Sequence, residues 1–135
     1  MKKIYVVRHC QALGQDADAP LSNKGMEQAC QLADFLSNYE ITQIISSPYK
    51  RAIQSIEPFS KQCNISIVED VCLKERILST TDLTDWVVKL KSTFDNMSIR
   101  YEGGESSHYA LKRVVDVVEE HRNLNNFLLV THGNI

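Results

Sequence analysis

Val6-Val7-Arg8-His9-Cys10 constrains this chain more than any other stretch. The apolar run from Ile4 to Val7 ends abruptly in a cation and an imidazole. A buried parallel strand has this pattern, and its C-terminal end is where open α/β sheets place ligands. The arrangement returns near the other end of the chain, where Phe127-Leu128-Leu129-Val130 runs into Thr131-His132-Gly133. If both segments are central and parallel, His9 and His132 emerge on the same edge of one sheet.

Strands and helices alternate between these two segments. Gln11 to Pro20 reads as a loop, and Ser22 as the N-cap of a helix with Met26, Ala29, Cys30, Ala33 and Leu36 on its inner stripe. On that stripe Cys30 reads as core filler. Gln43–Ser46 is a second strand. Ser47-Pro48 then predicts a helix start, with Ser as cap, Pro in the first position and Arg51 in or just beyond the first turn. Pro58 should kink or end that helix. Ile65 and Ile67 alternate with polar residues in a third strand nearer a sheet edge. Asp70 to Ser79 is irregular and contains Glu75. A third helix fits Asp82 to about Phe94, with Leu83, Trp86, Val87, Leu90 and Phe94 inward and Trp86 read as core. After Gly103-Gly104, Glu105-Ser106 opens a helix to about His121, with Ala110, Leu111, Val114, Val117 and Val118 inward. Strands alternating with helices predict an α/β fold with a parallel sheet.

The 135 residues predict a single domain over 1–135, and 43% apolar residues suffice for its core. The net charge of −2 gives no basic field for nucleic acid or an anionic membrane. An anion site must therefore be local. Cys10, Cys30, Cys63 and Cys72 lack metal-ligand spacing and fit reduced thiols of a cytoplasmic protein. No apolar run approaches membrane-spanning length, and the N-terminus is too briefly apolar for a signal peptide.

Arg8, His9, Arg51 and His132 each fall at a strand end or near a helix start. Two guanidiniums and a second imidazole around His9 would bind a small dianion such as a phosphoryl group. The helix N-terminus after Pro48 would add backbone N–H groups. A neutral imidazole is also a competent nucleophile when its other nitrogen is held as a donor. Phosphoryl transfer then needs charge stabilisation and a proton for the leaving alkoxide, and Glu75 is the best source of it. The sequence shows no acidic cluster, so neither a metal nor another cofactor is expected, and the arginines take the place of magnesium.

These segments also resemble a known family. Arg8-His9-Cys10, Leu21 to Ala29, Ser46-Ser47-Pro48-Tyr49-Lys50-Arg51-Ala52-Ile53-Gln54, Leu73-Lys74-Glu75, Gly104-Glu105-Ser106 and Thr131-His132-Gly133 are similar, in order, to motifs of the histidine phosphatase superfamily, the phosphoglycerate mutase-like group. The resemblance implies a three-layer sandwich with a mostly parallel sheet flanked by helices. It implies that His9 becomes phosphohistidine, that Arg8, Arg51 and His132 hold the phosphoryl oxygens, and that Glu75 is the proton donor. Gln15 falls where many members carry an asparagine touching the phosphate. Ser106 reads as a helix cap. Cys10 replaces the family's usual glycine, where it either narrows the pocket or is a tolerated small residue.

The resemblance favours a metal-independent phosphomonoester phosphatase. A mutase calls for a capping insertion, yet 26 residues lie between Glu75 and Glu102. Ile77-Leu78-Ser79 also stands where mutases carry Tyr-Gly. Phosphoglycerate mutase-type transfer and a phosphate-binding regulatory module are the alternatives. The partner is a small phosphorylated molecule, with residues 77–102 forming the pocket wall. Family members continue past His-Gly, so the chain reads as C-terminally short. Marginal stability, a homodimer closed over exposed apolar surface, or a longer parent is expected.

Overall fold

The computed structural model describes residues 3–79 and 84–133. Four strands, β1 (Ile4–Arg8), β2 (Gln43–Ser46), β3 (Ile67–Glu69) and β4 (Phe127–Thr131), form one sheet in the order β1-β4-β2-β3. Every pairing is parallel. The register sets Arg8 beside Thr131 and Ser46 beside Val130. The chain after β1, β2 and β4 therefore leaves the sheet along one edge, which brings His9, Ser47 and His132 to the same rim. The short β3 takes the outer position, as its mixed polarity predicts.

Central strands carry side chains to both faces, which is why β4 reads as an unbroken apolar run. Ile44, Leu128 and Val130 face α1 (Asn23–Leu36) and α2 (Lys50–Cys63), packing with Ala33, Leu36, Ala52, Ile56 and Phe59. Ile45, Phe127 and Leu129 face the other way, against Leu73 of a 3-10 turn and Val117 of α4 (Ser107–Glu120). Helices on both faces make three layers.

Helix starts follow the expected chemistry in two places. The Ser22 hydroxyl accepts from Gly25 N–H at 3.0 Å, and the Ser106 hydroxyl accepts from Tyr109 N–H at 3.1 Å. Gly25 is needed for another reason: a Cβ there would overlap the Gln11 carbonyl.

Several expectations fail for identifiable reasons. Cys30 and Met26 are exposed, because α1 docks through the narrow i, i+4 row of Gly25, Ala29 and Ala33, and Cys30 lies around the helix from it. α2 begins at Lys50 with Tyr49 as its cap residue, since the Ser47 hydroxyl is occupied elsewhere. Pro58 lies inside α2 and does not end it; buried Ala52, Ile56 and Phe59 on either side hold the helix to the sheet. Leu111 of α4 is exposed, and Arg113 takes an inward position.

The third helix, α3 (Trp86–Asp95), departs most from its expected packing. Its predicted first residues, Asp82 and Leu83, lie outside the described residues. Trp86, Val87 and Phe94 are exposed rather than core, and only Thr93 of this helix is buried. α3 is tied to α4 by Ser107, whose hydroxyl donates to the Thr93 carbonyl at 2.6 Å. Among the described residues, no helix is long and apolar enough to cross a membrane.

Candidate active site

His9 follows the last residue of β1, and its backbone N–H still bonds the Thr131 carbonyl at 3.0 Å. Its ring Nδ1 stands 2.7 Å from the Cys10 carbonyl. A carbonyl can only accept, so Nδ1 carries the proton and Nε2 keeps a lone pair. Arg51 Nε donates to that lone pair at 3.3 Å. Burial lowers the His9 pKa, and the nearby Arg51 and Arg8 charges lower it further against the Cys10 bond, so the ring stays neutral.

Arg51 reaches the rim from the first turn of α2 with no exposed surface. Its NH1 donates to the Asp16 carbonyl at 2.9 Å and the Gln15 carbonyl at 3.1 Å. Its NH2 makes no hydrogen bond and lies 3.6 Å from Glu75 Oε2. The loop after β1 thus fixes the guanidinium and leaves NH2 with only the Glu75 carboxyl beside it. The amides at this helix start contribute less than expected. Tyr49 N–H bonds Ser47, Lys50 N–H bonds the Ala17 carbonyl, and Ala52 N–H bonds the Tyr49 carbonyl.

His132 sits at the end of β4, 3% exposed, with its ring edge-on to His9 at 5.2 Å between centroids. Its Nε2 is 2.8 Å from the Ser47 hydroxyl. That hydroxyl also accepts from Tyr49 N–H at 3.2 Å and has one proton of its own to give. Given to Nε2, that proton puts the His132 proton on Nδ1, the tautomer that suits the facing carboxyl: Nδ1 is buried, without a hydrogen bond, and 3.4 Å from Glu75 Oε2. Burial, then the Arg51 charge, pushes the His132 pKa down to about 3. Tyr49 packs against His132 at 5.0 Å and under the Arg51 guanidinium at 4.9 Å.

Glu75 arrives from the loop after the 3-10 turn, and its Oε1 is buried without a partner. Burial raises its pKa, although Arg51 and Arg8 pull the other way. The group therefore holds a proton at higher pH than an exposed carboxyl. Arg8, Gln15, Glu75 and Gly133 line one cavity of about 540 Å3, together with Arg76, Trp86 and Leu90. Gly133 lies against the Arg8 guanidinium, where a Cβ would come within 3.0 Å of Cζ.

Every residue singled out in the sequence reaches this one place: Arg8, His9, Gln15, Arg51, Glu75 and His132. One donor atom each from His9, Glu75 and His132 lies within 4.8 Å of the others, so these three could hold a metal ion. The Arg51 and Arg8 charges beside them oppose a cation and favour an anion. Arg51 NH2 and His132 Nδ1, without hydrogen bonds, and His9 Nε2, bonded only by Arg51 Nε, suit a tetrahedral oxyanion of phosphorus.

A profile of the histidine phosphatase superfamily, branch 1, matches residues 4–135. The chain belongs to that superfamily. A relative from Escherichia coli, named probable phosphoglycerate mutase GpmB, is 30% identical over 151 aligned positions, which cover 98% of this chain and 70% of the relative. The mycobacterial glucosyl-3-phosphoglycerate phosphatase in complex with inorganic phosphate superimposes with a TM-score of 0.84 at 21% identity, covering 99% of this chain and 74% of that one. Bacillus stearothermophilus YhfR gives 0.74 at 25% identity, over 97% and 74%. The phosphoglycerate mutase-like fold is thus shown, and the superfamily supports an enzyme of phosphoryl transfer.

Some residues of the candidate site are missed by sequence reasoning. Ser47 reads as a helix cap but orients His132. Ser55 accepts from Cys10 N–H at 2.7 Å and donates to the Arg51 carbonyl at 2.6 Å, locking the loop after β1 to α2. Cys10 has no positive φ, so glycine is not required there. Its thiol pKa is pushed up by burial, which disfavours the oxidisable thiolate. Glu105 and Arg113 form a bidentate pair at 2.7 and 3.0 Å behind the Glu75 loop. The signal for that pair was a basic residue on the inward stripe of a helix, which spacing alone reads as amphipathic noise.

Proposed function

We propose that this protein is a metal-independent phosphomonoester phosphatase working through a phosphohistidine on His9. The observation that carries the proposal is the unprotonated Nε2 of His9, held only by a long 3.3 Å bond from Arg51 Nε, in a cluster where Arg51 NH2 and His132 Nδ1 both lie beside Glu75 Oε2 without a hydrogen bond. The ester's phosphoryl oxygens lie against Arg8, Arg51 and His132 Nδ1–H, with Gln15 at the cavity wall. Arg51 Nε–H turns from Nε2 to a phosphoryl oxygen, Nε2 attacks phosphorus, the P–O bond to the alcohol breaks, and Glu75 gives its proton to the departing oxygen. Glu75, now a carboxylate, takes a proton from water as that water attacks phosphorus. The P–N bond breaks, and His9 and Glu75 return to their starting states. The arginines stabilise charge on the transferring group throughout.

The name of the Escherichia coli relative keeps a second reading open, transfer of the phosphoryl group back to the same molecule as in a mutase. A third is phosphate binding without turnover. Incubation with 3-phosphoglycerate under a metal chelator separates the three. Release of inorganic phosphate with an acid-labile adduct on His9 is the outcome expected here. Isomerisation faster than phosphate release supports the mutase, and binding with no adduct supports the regulatory module. The four free thiols fit a reducing cytoplasm as the setting.

A further inference from the structure

Trp86 is the one tryptophan of the chain, and it is 57% exposed at the start of α3. Scattered exposed apolar side chains need no explanation. The place of Trp86 sets it apart. It lines the active-site cavity together with Leu90, one helical turn further on the same face. Val87, Val88 and Phe94 are also exposed but are not among the described residues of that wall. A cavity of about 540 Å3 falls in the size range of small-molecule sites and exceeds what a phosphoryl group fills. Its cationic end, at Arg8 and Gly133, takes the phosphate. The remainder must hold the alcohol part of the ester.

That remainder is walled by the indole, Leu90 and Arg76. Arg76 donates from Nε and NH2 to the Glu105 carbonyl and from NH1 to the Ser107 hydroxyl. These bonds weaken it as a hook for a second anionic group. An indole that lines a cavity and is 57% exposed offers a flat, polarisable surface of the kind that aromatic rings stack on.

We propose that Trp86 and Leu90 form a stacking subsite for the leaving group, so that the preferred substrates are phosphomonoesters whose alcohol carries a planar aromatic ring. This deepens the phosphomonoesterase reading and rests on it.

The single tryptophan makes the test direct. Benzylphosphonate, which cannot be hydrolysed, should change the intrinsic fluorescence of the wild-type protein saturably. Excess inorganic phosphate should reverse the change, and methylphosphonate should bind about tenfold more weakly. In turnover, the ratio of kcat/KM for 1-naphthyl phosphate to that for glycerol 2-phosphate should fall about tenfold in Trp86→Ala, chiefly through KM. Trp86→Phe should keep most of the ratio. An unchanged ratio in Trp86→Ala, or equal binding of the two phosphonates, overturns the subsite. Hydrolysis with an unchanged ratio sinks the subsite alone. Phosphonate discrimination without hydrolysis of any ester sinks the phosphatase reading and leaves the subsite standing.

Discussion

Ser47 shows how much a single hydroxyl decides. It stands between Tyr49 N–H and His132 Nε2, and in the proposed mechanism its proton holds His132 in the tautomer whose Nδ1–H meets a phosphoryl oxygen. Without it, the ring can take either tautomer. Ser47→Ala should lower kcat/KM about tenfold, and the loss should fall on substrate and phosphate binding rather than on phosphoenzyme breakdown. Rapid-quench measurement of the two steps checks this. Glu75 carries a different burden, because an amide can neither give nor take the proton. Glu75→Gln should slow hydrolysis of an alkyl phosphate about 100-fold or more. With an aryl phosphate, whose leaving oxygen needs no proton, it should give a burst of alcohol followed by slow turnover, seen as accumulated acid-labile phosphate.

At the scale of elements, the Glu75 loop is held from behind by α4. Arg113 donates to the Cys72 carbonyl at 2.6 Å and the Lys74 carbonyl at 3.3 Å, and pairs with both oxygens of Glu105. Glu105 in turn accepts from Ile77 N–H at 3.0 Å, and Thr131 donates to the Leu73 carbonyl at 2.8 Å. Backbone on both sides of Glu75 is therefore fastened to α4, to the turn before it and to β4. Glu105→Gln leaves the buried Arg113 charge without its counter-ion. It should cost about 3–5 kcal/mol of stability, the usual penalty for breaking a buried pair from one side. Denaturant unfolding reads that cost. kcat should fall as well even where the variant is fully folded, since Glu75 loses its placement. Gly104→Ala should act on the same joint, because a Cβ there would overlap the Leu78 carbonyl.

For the molecule as a whole, the site opposes stability in acid. His132 is held near 3 and His9 below its usual 6.5, in both cases first by burial. Between those values the unfolded chain binds protons that the folded chain refuses, so stability falls as pH drops from about 6.5 toward 3. Glu75 works the other way. Its raised pKa makes the folded state the better proton binder just above 4.5, which adds stability at low pH and loses it as pH rises through the folded value. His132 sets the net direction, because its displacement to about 3 spans the whole of that window. Thermal unfolding should show Tm lower by about 5–10 °C at pH 4.5 than at pH 7.5. His132→Asn should flatten that dependence. An unchanged slope in this variant would show that other groups set the acid limit.

The alternation of apolar runs with amphipathic stretches determined the α/β class. The strand-ending residues Arg8-His9 and Thr131-His132 determined where the chemistry would gather, because parallel strands must end on a common rim. Arg51 and Glu75 were legible by type and motif. The orientation of those groups was not, since tautomers and spare N–H groups depend on partners such as Cys10, Ser47 and Asp16, which come from other elements or from backbone. Sequence periodicity also misjudged α3, α1 at Cys30 and α4 at Leu111. An apolar stripe records which side chains could be buried, and only the neighbours an element meets decide which of them are. Trp86 was legible as an aromatic residue; its position beside a phosphate-sized cluster of cations was a property of the folded chain alone.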